Sequence, residues 1–261
     1  MSDEATARFG ELVARPDAEI PLDEAAVLIG AHAVPGLDVG RQLARLDDLA
    51  SSCPAPTLEG LCRHLFDDLG FTGNRDDYLD PRNSYLHEVL DRRTGIPISL
   101  SVVMVEVGRR LGVPLAGVGM PAHFLVRHLG EPATVLDPFA GGVRLTEEEC
   151  ETIFRILGGT GEWVPAYLDP VGPRAILTRM LVNLQGIFMP KDLRSAVWVL
   201  RLRLLIPGMG LPEQIAVARA LGSLGQFDAA GEALDSAADV APVEEADRLR
   251  AQARALRARS N

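Results

Sequence analysis

The groups in this 261-residue chain that could carry chemistry are three thiols, five imidazoles and two serines at the start of an apolar helix. A thiolate is both a nucleophile and a metal ligand, so cysteine spacing decides most. Cys53, Cys62 and Cys150 are odd in number, widely spaced and without a Cys-x-x-Cys pair, which argues against a disulfide framework and a structural zinc site. Cys62 sits in the helical pattern Leu61-Cys62-Arg63-His64-Leu65-Phe66, where a small buried thiol is the expectation, and Cys150 follows three glutamates whose charge would raise its pKa. Ser99 and Ser101 lie near a helix start. A hydroxyl there needs an aligned base and oxyanion donors to act as a nucleophile, and otherwise caps the helix. His123, beside Phe124 and Leu125, could be such a base or an ordinary core residue. Paired with His128 it is a poor metal site, because a spacing of five on a strand sends the two rings to opposite faces. No metal or cofactor is expected.

These groups must be held by three kinds of segment. Residues 1 to about 70 read as helical, with apolar residues three and four apart at 20–29 and 37–49. Gly70 to Pro81 is a Gly/Asn/Asp-rich loop, and a short helix is expected from Asn83-Ser84 to Arg92. After Gly95-Ile96-Pro97 a central helix runs from Ser99 to Leu111, with Leu100, Val103, Met104, Val107 and Leu111 on one stripe and Val102 and Val105 off it. Short β-prone runs follow at 115–118, 123–127 and 134–136, which predicts an antiparallel sheet packed on that helix. From Pro173 the pattern is helical again.

That last stretch repeats at an offset of 34: Leu193 with Phe227, Ala196 with Ala230, Leu200 with Leu234, while Pro207 and Pro242 miss by one. Such a period is that of tetratricopeptide (TPR) helical hairpins. Two units are fewer than an independent solenoid needs, so the tail is expected to lean on the preceding domain. The fold class is therefore α+β, divided into a helical part (1–70), a mixed core (71–172) and a TPR-like helical tail (173–261).

Composition narrows function. The net charge is −10 with 26 basic against 36 acidic residues and 5% aromatics, so neither a phosphate-neutralising surface nor a base-stacking platform is indicated, and nucleic acid is not an expected partner. The acidity lies before Arg174, at −13, whereas the remainder carries +3. No apolar run reaches membrane-spanning length and residues 1–10 lack a signal-peptide pattern, so no membrane partner is expected and the chain is expected to be cytoplasmic.

The segments 79–86, 89–101, 121–127 (Pro-Ala-His-Phe-Leu-Val-Arg) and 136–139 (Leu-Asp-Pro-Phe), with Val34 to Val39, Leu46 to Ala50 and Leu181 to Leu184, resemble the SirB-type transglutaminase-like proteins with a TPR tail. The resemblance spans roughly residues 8–245. It implies a papain/transglutaminase-like core in which a cysteine opening the central helix is activated by a histidine on a neighbouring strand, itself oriented by an aspartate on the next. His123 and Asp137 fall at those two positions. The cysteine should stand two residues after Gly95, where this chain has Pro97. By the same resemblance Tyr78, Asn83 and Arg92 line the site. Two functions follow as expectations: a non-catalytic regulatory or scaffold protein that holds a peptide or protein partner, or an amide or ester hydrolase or transferase using Ser99 with His123 and Asp137.

Overall fold

The computed structural model describes residues 3–259. Contacts group these into two compact units, residues 16–180 and residues 3–15 together with 181–259. The sequence boundaries at 70 and 172 mark changes in composition, which is a different kind of division.

Helix α1 (Asp3–Val13) opens the described chain. In the 16–180 unit follow α2 (Leu22–Ala31), α3 (Val39–Ser51) and α4 (Leu58–Cys62), which widens into a π-helical turn over Arg63–Asp68. Local chemistry sets the starts: the Asp38 side chain accepts from the Arg41 N–H and Thr57 from the Gly60 N–H, each supplying a donor-rich helix terminus with an acceptor. The expected loop at 70–81 contains β1 (Thr72–Gly73), which pairs in parallel with β2 (Thr94–Gly95). Between these lie a 3-10 turn at Pro81–Ser84 and α5 (Leu86–Arg92).

Helix α6 (Pro97–Leu111) is the centre of the unit. Proline stands at its first turn, where the missing N–H is not needed, and Gly112 at φ 73° ends it in the left-handed conformation. Every residue from 97 to 104 is buried, on and off the expected stripe, because α6 packs against α2, α3 and α5 as well as against the sheet. That sheet contains β3 (Leu115–Val118), β4 (Leu125–His128), β5 (Thr134–Asp137) and β6 (Val143–Leu145), and, after α7 (Glu147–Ile156), β7 (Pro170–Val171). Its order is β6-β5-β4-β3-β7 with every pairing antiparallel. Beneath it Val118, Met120, Leu125, Cys150 and Phe154 form a buried cluster.

Three helices of this unit are tied by ions, of which Asp23 and Glu106 are buried and Asp47 is exposed. Arg110 of α6 donates to Asp23 of α2 at 2.6 Å, to Asp47 of α3 at 2.7 Å and to Glu106 one turn back at 2.9 Å. Burial would raise the Asp23 carboxyl, but hydrogen bonds from Arg110 and the Glu24 N–H, with the charges of Arg110 and Arg109, hold it below the usual range. Glu106 goes the other way, pushed up by burial and by Asp23.

Helix α8 (Pro173–Phe188) gives its first half to that unit and its second half to the other, which continues with α9 (Leu193–Leu205), α10 (Leu211–Ser223), α11 (Phe227–Val240) and α12 (Val243–Arg257). There α10, α11 and α12 pack in succession through Leu234 and Leu249 and through Ala218, Ala237 and Ala253, whose small side chains let the helices approach closely. Helix α1 belongs to this unit: its Gly10 lies against Leu205 of α9. No helix among the described residues is long and apolar enough to cross a membrane.

Candidate functional site

The antiparallel register brings the expected pair together. Val126 faces Leu136 across β4 and β5, so the residues just before Leu125 come level with the end of β5. There His123 Nε2 lies 3.0 Å from Asp137 Oδ2, with both side chains buried. The second oxygen, Oδ1, accepts from the N–H groups of Phe139 and Ala140 at 2.9 and 3.3 Å, so the carboxylate also caps the 3-10 turn Pro138–Ala140 and cannot swing away. Nε2 facing a carboxylate carries the ring proton, which leaves the lone pair of the neutral ring on Nδ1. The backbone is bent to present this ring: Ala122 adopts φ 65°, rare for a residue with a Cβ.

Phe139 is the hub of the surroundings. Its ring meets His123 edge-on at 6.3 Å and Tyr78 at 5.9 Å, and the Arg75 guanidinium sits 4.9 Å from its centroid. Gly73 makes room for it, since a Cβ there would lie 2.4 Å from the ring. Sequence reasoning missed Gly73, Arg75 and Phe139 as site residues. The available signals were the place of Phe139 in the 136–139 motif and the glycine in the turn-rich loop, which reads equally well as a turn former.

The other expected residues divide by exposure. Tyr78 is 45% exposed beside Phe139. Asn83 is fully buried and ties the loop to the helices: its amide donates to the carbonyls of Asp77 and Tyr78, and its Oδ1 accepts from Asn74 and Arg92. Arg92 also lies 3.6 Å from Asp80. Asn83 and Arg92 therefore position the loop that carries Tyr78.

Ser99 is not brought to His123. Its hydroxyl donates to the Asn83 carbonyl at 2.6 Å, lies 3.1 Å from the Ile96 carbonyl and accepts from the Ile96 N–H at 3.1 Å. No hydrogen bond joins it to the imidazole. Ser101 is turned back onto the Pro97 carbonyl at 2.7 Å. Both serines thus serve the first turns of α6. None of the three thiols stands at that helix start. Burial pushes Cys62 and Cys150 up to about 11, with the neighbouring acidic groups second for Cys150, and the Cys53 thiol donates to the Ala55 carbonyl at 3.3 Å. Among the described residues no three His, Cys, Asp or Glu side chains converge as a metal-ligand set.

A histidine two residues before one strand, bonded to an aspartate at the end of the neighbouring strand, is the arrangement expected of a transglutaminase-like core. Residues 36–182 match the family model of the transglutaminase-like superfamily, and the chain belongs to that family. Its relatives include a UPF0162 protein of Xylella fastidiosa strain Temecula1, 38% identical over 198 residues covering 70% of each chain. A UPF0162 protein of Pseudomonas aeruginosa is 40% identical over 163 residues, 59% of this chain and 57% of that one. F-box only protein 21 of Homo sapiens is 40% identical over 147 residues, 52% of this chain and 22% of that protein. No solved structure matches the chain.

Proposed function

We propose that this chain is a non-catalytic transglutaminase-like protein of the SirB type that holds a peptide or protein partner. The carrying observation is the state of the α6 start, where Pro97 offers no nucleophilic atom and the Ser99 hydroxyl is committed to Asn83 and Ile96. Without an attacking group the His123–Asp137 pair orients an imidazole but forms no covalent intermediate. Exposed Tyr78, with Arg75 and Phe139, is the contact surface in this reading, and Asn83 and Arg92 hold it in place. The helical part supports a TPR-like reading of the tail: α11 begins 34 residues after α9, and Pro207 and Pro242 each follow the end of one of them. The related stretch in F-box only protein 21, about a fifth of that chain, supports a module that works joined to other segments. Three free thiols favour a cytoplasmic setting.

A hydrolase using Ser99, His123 and Asp137 has the intact pair in its favour. It would require Ser99 to release its helix-start bonds and reach the imidazole. The test is amine incorporation and amide and ester hydrolysis by the full chain, with Ser99→Ala and His123→Ala variants alongside, and selection of binding peptides by display. No turnover is expected, and selected peptides should lose affinity on Tyr78→Ala or Phe139→Ala. Turnover abolished by Ser99→Ala or His123→Ala would overturn the reading.

A further inference from the structure

Of the eight buried side-chain polar atoms without a hydrogen-bond partner among the described residues, four belong to one short stretch: Ser84 Oγ, both ring nitrogens of His87 and Arg92 Nη1. His87 is only 4% exposed. Its ring lies parallel to that of Tyr85, with 5.9 Å between centroids, and its Nδ1 is set against α2, where a Cβ on Gly30 would lie 2.5 Å away. A neutral imidazole fits this slot. A cation there would have a second N–H without an acceptor and would lose its hydration, and both effects penalise the closed form.

The charges in reach do not remove that penalty. Glu88 Oε1 lies 3.9 Å from Nε2, too far for a hydrogen bond, and Asp91 is engaged by Arg45 of α3 at 2.7 Å. Burial outweighs the pull of Glu88 and Asp91, Arg45 adds to it, and the pKa is held below the usual imidazole value. The other elements packed on α5 bring no rescuing charge. Helix α2 carries Asp23 and Glu24 two turns from Gly30, and His32 just beyond it bonds the Leu28 carbonyl. The turn before α5 has Arg82, bound to Asp80, and residues 94–105 of β2 and α6 include no ionisable side chain.

The slot also holds the loop of the candidate site. Helix α5 is seven residues long, too short to persist without its packing. Arg92 in its last turn donates to Asn83 Oδ1 at 3.3 Å, and the Asn83 amide holds the Asp77 and Tyr78 carbonyls. We propose that His87 is an acid-sensitive latch: a proton on its imidazole opens α5 from α2 and loosens residues 77–92, so that the chain holds its partner near neutral pH and releases it in mildly acidic surroundings. The release of a partner rests on the preceding reading of Tyr78, whereas the opening itself does not. Once exposed, the ring takes its ordinary pKa of about 6.5. Above that pH the closed form is undisturbed, and below it each pH unit favours the open form about tenfold until the closed ring also titrates.

Hydrogen exchange on the full chain, with no partner present and rates corrected for the intrinsic effect of pH, tests the latch. Between pH 7.5 and 5.5 the amides of α5 should lose roughly tenfold in protection, while those of Val103 to Val107 in α6 keep theirs. His87→Leu, which fills the slot with a group that takes no proton, should erase the response. Gly30→Ala should open the same segment at pH 7.5, because its Cβ evicts the ring, and adding His87→Ala should close it again. Protection of α5 that is equal at both pH values, a loss shared equally by α6, or a response that survives His87→Leu would overturn the proposal. Opening of α5 in a protein for which no peptide that depends on Tyr78 can be selected would sustain the latch and count against the partner-holding reading alone.

Discussion

Ser99 and Asn83 are joined across sixteen residues of chain by a hydroxyl that donates to a backbone carbonyl at 2.6 Å. Because the same oxygen accepts the Ile96 N–H, one atom fixes both the start of α6 and the turn that carries Asn83. Ser99→Ala leaves two buried backbone groups unpaired and should cost about 1–3 kcal/mol. Ser101→Ala, which removes only a bond back onto the helix's own Pro97 carbonyl, should cost well under half of that. Chemical denaturation of both variants checks the order. Equal losses would mean that Ser99 does no more than an ordinary helix serine.

The thiols give a kinetic prediction. With Cys62 and Cys150 pushed up to about 11 by burial, roughly one molecule in a thousand carries either thiolate at pH 8. Iodoacetamide should therefore leave both unmodified in the native protein over hours and label them within minutes in denaturant. Peptide mass mapping reads this directly, and fast native labelling of Cys150 would contradict its enclosure.

Arg110 is the common partner of Asp23, Asp47 and Glu106. Replacing it with methionine keeps the length of the side chain but leaves the buried Asp23 and Glu106 carboxylates with Arg109 as their remaining cation. Arg110→Met should destabilise by about 2–3 kcal/mol, less than the full loss of a buried ion's partner, whereas Arg8→Met, at an exposed pair with Glu11, should change stability by less than about 1 kcal/mol.

His87 gives a pH prediction. Burial lowers its pKa, opposed by Glu88 and Asp91 and assisted by Arg45, and both ring nitrogens are buried without a hydrogen bond. His32 is lowered too, first by burial, although its Nδ1 lies 2.9 Å from the Leu28 carbonyl. In each case the unfolded chain takes up a proton at a pH where the folded one does not. Stability is then fully present above the ordinary imidazole pKa of about 6.5 and falls as pH drops below it. His87→Leu removes one of these protons and two unpaired polar atoms. It should raise stability by about 1 kcal/mol at pH 5.5 and flatten the slope between pH 5 and 6.5. An unchanged slope would mean that His87 is already protonated in the fold.

Where the chain's own chemistry decided structure, the sequence could be read. The run 115–118 is β3 to the residue, because an apolar stretch between Gly112 and Gly119-Met120-Pro121 has no alternative. Leu193 and Phe227, the expected repeat pair, are each the first residue of a helix. His123 and Asp137 were legible through their motifs, and the register of β4 and β5 explains why fourteen residues of sequence become one hydrogen bond. What could not be read depends on distant partners. Strands β1 and β2 are two residues each and exist only because Thr72 finds Thr94. Gly73 matters only because Phe139, sixty-six residues on, needs the space of its missing side chain. The commitment of Ser99 to Asn83 is likewise invisible until the turn folds over the helix start.

The grouping of α1 with the helices after residue 181 also has a consequence for how the protein is made. Phe9, Leu12 and Val13 are fully enclosed, yet α9, on which α1 packs, begins about 180 residues later. At 5–20 residues per second a ribosome needs roughly 10–40 s to supply it. Through that interval the apolar stripe of α1 is without its final cover, while the contacts within residues 16–180 are all between segments already made. The thermodynamic cost of joining such distant segments is modest, since each doubling of a loop adds only about 0.6 kcal/mol. The burden falls on timing. A chain whose synthesis stops near residue 180 leaves Phe9, Leu12 and Val13 without the helix that covers them.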